Sequence, residues 1–232
     1  CGVVMIDFMK IEAMTFDCYG TLIDWETGII NALKPLLERE KISLDNETIL
    51  ELYAQFESKI EQGEYITYKE VLRNVVKMFN QHFSTNIDLD SLLKSFQSWE
   101  PFEDTVETLM KLKSRFKLVV LSNVDKDLFE LTKKKLVVQF DRVFTAEDIK
   151  VYKPSKKFFE YAITNLKIDV KKIVHIAQSL YHDIKPAKEF GISTVWVNRR
   201  KGKGGGGATP HIEVTPDLEV PDLKSLAELI FV

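Results

Sequence analysis

The chain has 232 residues, of which 45% are hydrophobic and 29% are charged, with 32 Lys and Arg against 35 Asp and Glu. This length and composition exclude a disordered chain and a disulfide-stapled mini-protein, and they suit one domain with an insertion or two small domains. The net charge of -3 argues against a basic surface for nucleic acid. We expect no transmembrane helix, because no apolar run reaches about 18 residues.

The N-terminal segment, residues 1–10, is apolar but lacks the basic region and the small-residue cleavage site of a secretory signal. The two cysteines, one of them Cys18 in a predicted strand, fit a reducing compartment. The sequence therefore predicts a cytoplasmic protein. Because the sequence begins with Cys1, Met5 and Met9 are candidate natural starts.

Short segments rich in Val, Ile and Phe alternate with longer segments of helical period, which predicts a parallel sheet covered by helices. The predicted strands are 11–18, 117–121, 142–145, 173–177 and 194–197, with an edge strand at 216–220. The predicted helices between and after them are 103–114, 126–136, 155–166, 183–190 and 222–230. This alternation is typical of a doubly wound, Rossmann-like α/β fold.

Residues 25–99 interrupt the alternation with four amphipathic segments, 28–40, 46–62, 68–83 and 90–99. In the third, the apolar residues recur at helical spacing, which is typical of packing within a helical subdomain. We predict a helical cap domain at 25–99, inserted into a core domain made of 1–24 and 100–232. An insertion directly after the first strand lies over the carboxyl end of the sheet, where open α/β sheets bind ligands.

The segment 199–209, RRKGKGGGGAT, contains four consecutive glycines. Such a run supports neither helix nor strand and predicts a flexible surface loop. Basic and glycine residues also bind phosphate, but the segment lacks the Gly-Lys-Ser/Thr spacing of a phosphate-binding loop.

Polar clusters follow the predicted strands, and the carboxyl ends of parallel strands meet in one crevice. Alone, each cluster has a structural explanation as a turn or a helix cap. Together they bring a carboxylate, a hydroxyl-amide pair, an ammonium and a second carboxylate to one place, which favours a functional site. The clusters are Asp17 to Thr21 after the first strand, Ser122 and Asn123 after the second, Lys153 after the third, and Gln178, Ser179 and Asp183 after the fourth.

Such a site suits nucleophilic catalysis by a carboxylate. Asp17 offers the anion, Lys153 can hold it, and Ser122 with Asn123 can bind an anionic group of a substrate. Asp183 can hold Lys153 or position a water molecule, and a buried lysine with two acidic partners stays charged.

The motifs resemble those of the haloacid dehalogenase superfamily, and within it the type II 2-haloacid dehalogenase-like branch. They occur in the family's order, with a helical cap where this class carries one. The resemblance implies that Asp17 is the nucleophile, that Lys153, Asp183 and Ser179 share the catalysis, and that Cys18, Tyr19, Thr21, Ser122 and Asn123 contact the substrate. The matching segments are FDCYGTLID (16–24), LSN (121–123), VYKPSKKFFEYA (151–162) and HIAQSLYHDIKPAKEFG (175–191).

Two positions distinguish dehalogenase from phosphatase. Phosphatases of the family carry a second aspartate two residues after the nucleophile, where this chain has Tyr19, and a phenol with a pKa of about 10 is a poor acid at neutral pH. They also carry an aspartate that helps to hold magnesium, where this chain has the neutral Gln178, a weaker ligand for a hard cation. Both differences favour a reaction in which a halide leaves without a proton.

The sequence also departs from well-described dehalogenases at three positions. Ala54 stands where an arginine of the cap contacts the leaving halide, Leu180 replaces an asparagine, and Phe159 replaces a tyrosine. Lys59, Tyr65 or Arg73 are cap residues that could take the place of the arginine.

We therefore expect a hydrolase that displaces halide from a small 2-haloalkanoate through an aspartyl ester on Asp17, which water near Asp183 and Ser179 then hydrolyses. Aromatic residues such as Trp25, Tyr65 or Trp99 would wall the pocket and exclude bulk water. We expect no cofactor, an anionic small-molecule substrate, no nucleic-acid or membrane partner, and a homodimer as in related dehalogenases. The alternatives are a magnesium-dependent phosphatase that uses Asp17 and Asp183 as metal ligands, and a catalytically weak member that binds a small carboxylate or a partner.

Overall fold

Short apolar strands form the centre of the molecule, a parallel sheet in the order β3-β2-β1-β4-β5-β6. A computed structural model describes residues 6–231, so Cys1 and Met5 lie outside the described residues. All four residues of β1 are buried, as expected of a parallel strand that has helices on both faces. The strands are β1 (Ala13–Phe16), β2 (Lys117–Ser122), β3 (Arg142–Thr145), β4 (Ile173–Ala177), β5 (Ser193–Val197) and β6 (Leu218–Val220).

Helices cover the sheet and fill the interval between β1 and β2. In the described part of the chain they are α1 (Trp25–Arg39), α2 (Asn46–Glu61), α3 (Tyr68–Phe83), α4 (Ser91–Ser95), α5 (Thr105–Lys113), α6 (Lys126–Leu136), α7 (Ala146–Ile149), α8 (Lys156–Leu166), α9 (Lys185–Glu189) and α10 (Leu223–Ile230). Short 3₁₀ turns lie at Phe96–Ser98 and Val170–Lys172. No helix within residues 6–231 combines the length and the apolar character needed to span a bilayer.

The predicted helix 183–190 differs from the observed structure. It is replaced by a π-helical turn at Leu180–Ile184, followed by α9. Pro186 has no amide hydrogen to donate into an α-helical turn at this point, so the regular pattern cannot run through it. Wider turns of this kind are often found at functional sites.

The strand order places the candidate site at the centre of the sheet. From β1 the chain first builds β2 and β3 on one side and then crosses to β4, β5 and β6 on the other. The crevice where the order reverses, between the carboxyl ends of β1 and β4, is where doubly wound sheets bind ligands. Phe16 pairs with Val120 and with Ile176, so the ends of β1, β2 and β4 lie at one level.

The helices α1 to α4 pack on one another, and aromatic side chains join α1 to α2 and α2 to α3. The ring of Trp25 meets that of Tyr53 edge-on at 5.6 Å, and Phe56 meets Phe79 at 5.1 Å. The chain leaves for this helical layer and returns from it at one point, where the amide of Asp24 donates to the carbonyl of Glu100 at 2.8 Å. The division into cap and core domains at 25–99 stays a prediction, and so does a homodimer.

Hydrogen bonds from Asp125 and Tyr152 hold the N-terminal end of α3 in place. The carboxylate of Asp125, which follows β2 and is 2% exposed, accepts from the backbone amides of Tyr68 at 2.9 Å and Lys69 at 3.0 Å. These are first-turn amides that the helix itself leaves unpaired. The hydroxyl of Tyr152 donates to the carbonyl of Ile66 at 2.8 Å, just before the same helix.

The loop 199–209 has no helix or strand, as predicted, but it is anchored rather than free. The guanidinium of Arg200 binds the carboxylates of Glu26 on α1 and Glu47 on α2. The amides of Gly207 and Ala208 donate to the same two glutamates, at 2.8 and 2.9 Å. The prediction of a flexible surface loop did not include these contacts, because Glu26 and Glu47 lie more than 150 residues away in the chain.

Replacing Asp125 with Ala leaves two buried first-turn amides of α3 without acceptors. We expect the free energy of unfolding, measured by urea denaturation, to fall by about 1–3 kcal/mol. Asp127→Ala is the matched control, because Asp127 is exposed, binds the side chain of Lys69 and accepts from the amide of Leu128 beside it, and it should cost less than about 1 kcal/mol. Equal losses of unfolding free energy in the two variants would contradict the role of Asp125 in holding the start of α3.

Candidate active site

Asp17 follows β1 directly, and its side chain lies at the bottom of the crevice. Its amide donates to the carbonyl of Ile176 at 3.1 Å, and Thr21 Oγ1 donates to Asp17 Oδ2 at 2.6 Å. The turn between these residues requires Gly20, whose φ is +92°. A Cβ at this glycine would lie 2.9 Å from the ring of Trp25 and 3.0 Å from the side chain of Gln178.

Lys153 connects the two carboxylates of the site. Its Nζ donates to Asp17 Oδ1 at 2.9 Å, to Asp183 Oδ1 at 2.7 Å and to the carbonyl of Leu121 at 2.8 Å. All three ammonium hydrogens therefore have partners. Asn123 fixes the backbone of the lysine, since its side chain accepts from the Lys153 amide at 2.7 Å and donates to the Lys153 carbonyl at 3.1 Å.

A buried histidine, which the sequence interpretation missed, supports Asp183 from below. His175 Nε2 lies 3.0 Å from Asp183 Oδ1, and His175 Nδ1 lies 2.8 Å from Thr15 Oγ1. The only signal in the sequence is a histidine within the otherwise apolar strand 173–177. Asp183 Oδ2 is buried and has no hydrogen-bond partner among residues 6–231.

Burial and the shared ammonium set the charges of the site. Burial and the nearby Asp183 raise the pKa of Asp17, which Lys153 and Thr21 partly offset. Burial also acts against the charge on Asp183, but Lys153 and His175 together bring the pKa of this carboxyl below its usual value. The two carboxylates raise the pKa of Lys153 despite its burial. Burial lowers the pKa of His182 to about 4, so this ring is neutral.

A small inner cavity of about 30 Å³ lies between Asp17 and the helices above it. A larger outer cavity of about 330 Å³ adjoins it and shares Glu61, Lys153 and His182 with it. The residues that line the inner cavity are Asp17, Tyr19, Trp25, Glu57, Glu61, Tyr68, Asn123, Lys153, Ser179, His182, Asp183 and Thr209.

Six of the nine predicted site residues therefore meet at this cavity: Asp17, Tyr19, Asn123, Lys153, Ser179 and Asp183. Cys18, Thr21 and Ser122 do not line it and are fully buried. Thr21 supports Asp17 from behind and also accepts from the Gln178 amide at 2.9 Å. The structure thus places these three side chains behind the residues that line the cavity. Their predicted contacts with substrate, and the catalytic roles assigned to the other six, stay predictions.

Sequence and structure comparisons with known proteins show to which family the chain belongs. A protein-family profile described as haloacid dehalogenase-like hydrolase matches residues 11–191. The chain belongs to this family. The protein is 26% identical over 227 residues to an (S)-2-haloacid dehalogenase of Pseudomonas sp. strain YL, covering 94% of each chain. Its fold is similar to the L-2-haloacid dehalogenase of Xanthobacter autotrophicus with chloropropionic acid covalently bound, with a TM-score of 0.78, 20% identity, and 95% and 98% of the two chains covered.

The predicted doubly wound α/β fold and the predicted family are thereby confirmed. A shorter match, 33% identical over 106 residues and covering 44% of this chain and 46% of the relative, is to a glyceraldehyde 3-phosphate phosphatase of Methanocaldococcus jannaschii. This haloacid dehalogenase-like hydrolase thus has sequence similarity both to haloacid dehalogenases and, over a shorter segment, to a phosphatase.

None of the candidates for the missing arginine reaches the cavity around Asp17. Arg73 binds Asp90 at 2.6 Å on the outside of α3 and is 41% exposed. Lys59 and Ala54 line a different cavity, next to the glycine-rich loop. Tyr65 lines the outer cavity, with its ring 5.1 Å from Lys150 Nζ.

Of the aromatic residues Trp25, Tyr65 and Trp99, which we expected to line the pocket, only Trp25 lines the inner cavity. The ring of Trp99 instead packs against Tyr19 at 6.2 Å, behind the cavity wall.

Replacing Lys153 with Met removes the charge and keeps most of the side-chain volume. Asp17 and Asp183 are then buried without a cation, so we expect the free energy of unfolding at pH 7 to fall by about 3–5 kcal/mol. Unpaired buried carboxyls bind protons at a higher pH than they do in the unfolded chain, so the folded variant binds more protons and its stability rises as the pH falls towards 5.

Urea denaturation at pH 7 and pH 5 measures both effects. Lys111→Met is the control, because Lys111 pairs with Glu107 at the surface of α5, and it should change stability by less than about 1 kcal/mol. A Lys153→Met variant that is as stable as this control at both pH values would contradict the proposed charge pairing.

Proposed function

We propose that the protein is a hydrolase of the 2-haloacid dehalogenase type, which releases halide from a small 2-haloalkanoate. Tyr19 is the observation that carries this proposal. It occupies the position where a leaving-group acid would stand, but its hydroxyl is engaged with Thr132 Oγ1 at 2.8 Å, and burial raises the pKa of the phenol well above its usual value. This side chain does not supply a proton at neutral pH, so a leaving group that departs without one suits the site.

In the first step, a carboxylate oxygen of Asp17 attacks the carbon that bears the halogen. The new C–O bond forms as the carbon–halogen bond breaks, and its electron pair leaves with the halide. Lys153 and Thr21 hold the carboxylate in place through hydrogen bonds of 2.9 and 2.6 Å, so little orientational freedom is lost during the attack. Asn123 lines the cavity, and we assign it to the substrate carboxylate. Its amide nitrogen donates to the Lys153 carbonyl at 3.1 Å and to Glu61 Oε2 at 3.3 Å, so it binds the substrate by exchanging the contact with Glu61.

In the second step, water attacks the carbonyl carbon of the aspartyl ester. Asp183 Oδ2, the buried oxygen without a partner, takes a proton from this water and passes it to the departing hydroxyacid oxygen. Lys153 binds Oδ1 and Thr21 binds Oδ2, so whichever oxygen is not esterified has a hydrogen-bond donor that stabilises the negative charge developing on it. The products are a 2-hydroxyalkanoate and the free Asp17 carboxylate, with one proton released.

The reaction as proposed uses no cofactor. The magnesium-dependent phosphatase alternative has the partial match to a phosphatase in its favour, but the residues at the site do not fit a magnesium ion. The Lys153 ammonium already stands between Asp17 and Asp183, and Gln178 offers an amide where a third anionic ligand would be needed. Among residues 6–231, no group of three or more His, Cys, Asp or Glu side chains is arranged to hold a metal.

Halide release from a panel of racemic 2-chloro-, 2-bromo- and 2-fluoroalkanoates tests the proposal. We expect release by the wild type and a loss of at least about 10³-fold in Asp17→Asn, because the amide is not a nucleophile. Asp45→Asn is the control, since Asp45 caps α2 at the surface and asparagine caps equally well. No halide from any substrate, or equal rates in the wild type and Asp17→Asn, would contradict the proposal, and magnesium-stimulated phosphate release from small phosphoesters would favour the alternative.

A further inference from the structure

The inner cavity has a floor formed by Asp17, Lys153 and Asp183 and a roof formed by Glu57 and Glu61, which lie one turn apart on α2. Within the described part of the chain, Lys153 is the one cationic side chain that lines this cavity, and both of its carboxylate partners belong to the floor. A halide that Asp17 displaces from the substrate carbon towards the roof meets these two glutamates. The charge of the glutamates decides whether the halide is repelled or bound.

The contacts of Glu57 define which of its oxygens can donate. The hydroxyls of Tyr53 and Tyr68 both donate to Glu57 Oε1, each at 2.8 Å. Oε2 has no hydrogen-bond partner among residues 6–231, and the side chain lines the cavity although the residue is only 4% exposed. The two tyrosine hydroxyls also lie 3.0 Å from each other, and each has a single hydrogen to donate. With both hydrogens directed at Oε1, this oxygen is the carbonyl of a protonated Glu57, and Oε2, which has no partner in the described part of the chain, carries the acid hydrogen.

We propose that Glu57 acts as a neutral carboxylic acid whose Oε2–H donates a hydrogen bond to the departing halide. This inference rests on the proposed function. Asp17 attacks from the floor, and an in-line displacement drives the leaving group to the opposite side, towards α2. The carbon–halogen electron pair leaves with the halide, the halide accepts the hydrogen bond, and Glu57 keeps its proton.

The neighbours of Glu57 favour the protonated form. Burial is the main cause that raises its pKa, to about 7, with a further contribution from the charge of Asp17, while the tyrosine hydroxyls act in the opposite direction. Burial likewise raises the pKa of Glu61 well above its usual value. The titratable and charged groups around Glu57 are Tyr53 and Glu61 on α2, Tyr68 on α3, Asp17 after β1, Lys153 before α8, and His182 and Asp183 after β4.

The first test is the pH profile of kcat for 2-bromopropionate in the wild type, Glu57→Gln and Glu57→Leu. We expect wild-type kcat to fall as the pH rises through about 7, because an ionised Glu57 cannot donate and repels the halide. Glu57→Gln keeps a donor that does not titrate, so this fall should disappear while most of the activity at pH 6 remains. Glu57→Leu should lose about 100-fold in kcat, as when one transition-state donor is removed, with little change in KM.

Glu61→Gln is the matched control, a second roof carboxyl with the same substitution. Its profile should keep the alkaline fall, because Glu57 is still present. An unchanged alkaline fall in Glu57→Gln, or a Glu57→Leu variant that is folded by circular dichroism and fully active, would overturn the inference.

The second test separates this inference from the proposed function. Bromide binding is measured without substrate, through quenching of tryptophan fluorescence, since Trp25 lines the cavity. We expect bromide affinity in the wild type to fall about tenfold per pH unit above pH 7, and to be independent of pH in Glu57→Gln. This result without turnover of any haloalkanoate would keep the halide site and refute the proposed function. Turnover together with bromide binding that does not depend on pH or on Glu57 would refute the halide site alone.

Discussion

The active site depends on one buried ammonium. Lys153 is 1% exposed and holds Asp17 and Asp183 at once, while the carbonyl of Leu121 takes its third hydrogen. Burying three charges is costly unless each finds its partners, so the position of every group in this cluster is tightly constrained. The strand order makes the cluster possible, because β1, β2 and β4 are neighbours whose carboxyl ends lie at one level. Asn123 and His175 complete it by fixing the lysine backbone and the second aspartate.

Burial of the site beneath α2 and α3 has opposite effects on the pKa values of paired and unpaired acids. The same exclusion of water strengthens the ion pairs of Lys153 and penalises charge on Glu57, which has no cationic partner. Asp183 therefore stays ionised with a lowered pKa, whereas the pKa of Glu57 rises to about 7. The lowered pKa of Asp183 and the raised pKa values of Glu57 and Glu61 therefore have one physical cause, the exclusion of water. Asp125 and Tyr152 bind residues at the start of α3, and Arg200 binds Glu26 on α1, so these contacts hold the helices over the site.

The fold was largely predictable from sequence, because its signals are local and repeated. Apolar runs that end in polar residues located all six strands, and the stripe on 68–83 located α3 with its observed bounds. The motifs also identified Asp17, Lys153 and Asp183. What the sequence could not show is distance in space. In the sequence Glu57 has the pattern of an ordinary helix glutamate, and only the folded chain places it above Asp17 at the same cavity. The anchoring of loop 199–209 was missed for the same reason, since Glu26 and Glu47 lie more than 150 residues away in the chain.

The central claim is that the Asp17 carboxylate becomes covalently bound to substrate and is released by water. A single turnover in H₂¹⁸O, with enzyme in excess over 2-bromopropionate, tests it most directly when the digested protein is analysed by mass spectrometry. If water attacks the aspartyl ester, ¹⁸O appears in the peptide that contains Asp17, and the 2-hydroxypropionate formed in this first turnover carries none. If the label appears in the hydroxyacid and the Asp17 peptide stays unlabelled, water attacks the substrate directly and the account of the site is wrong.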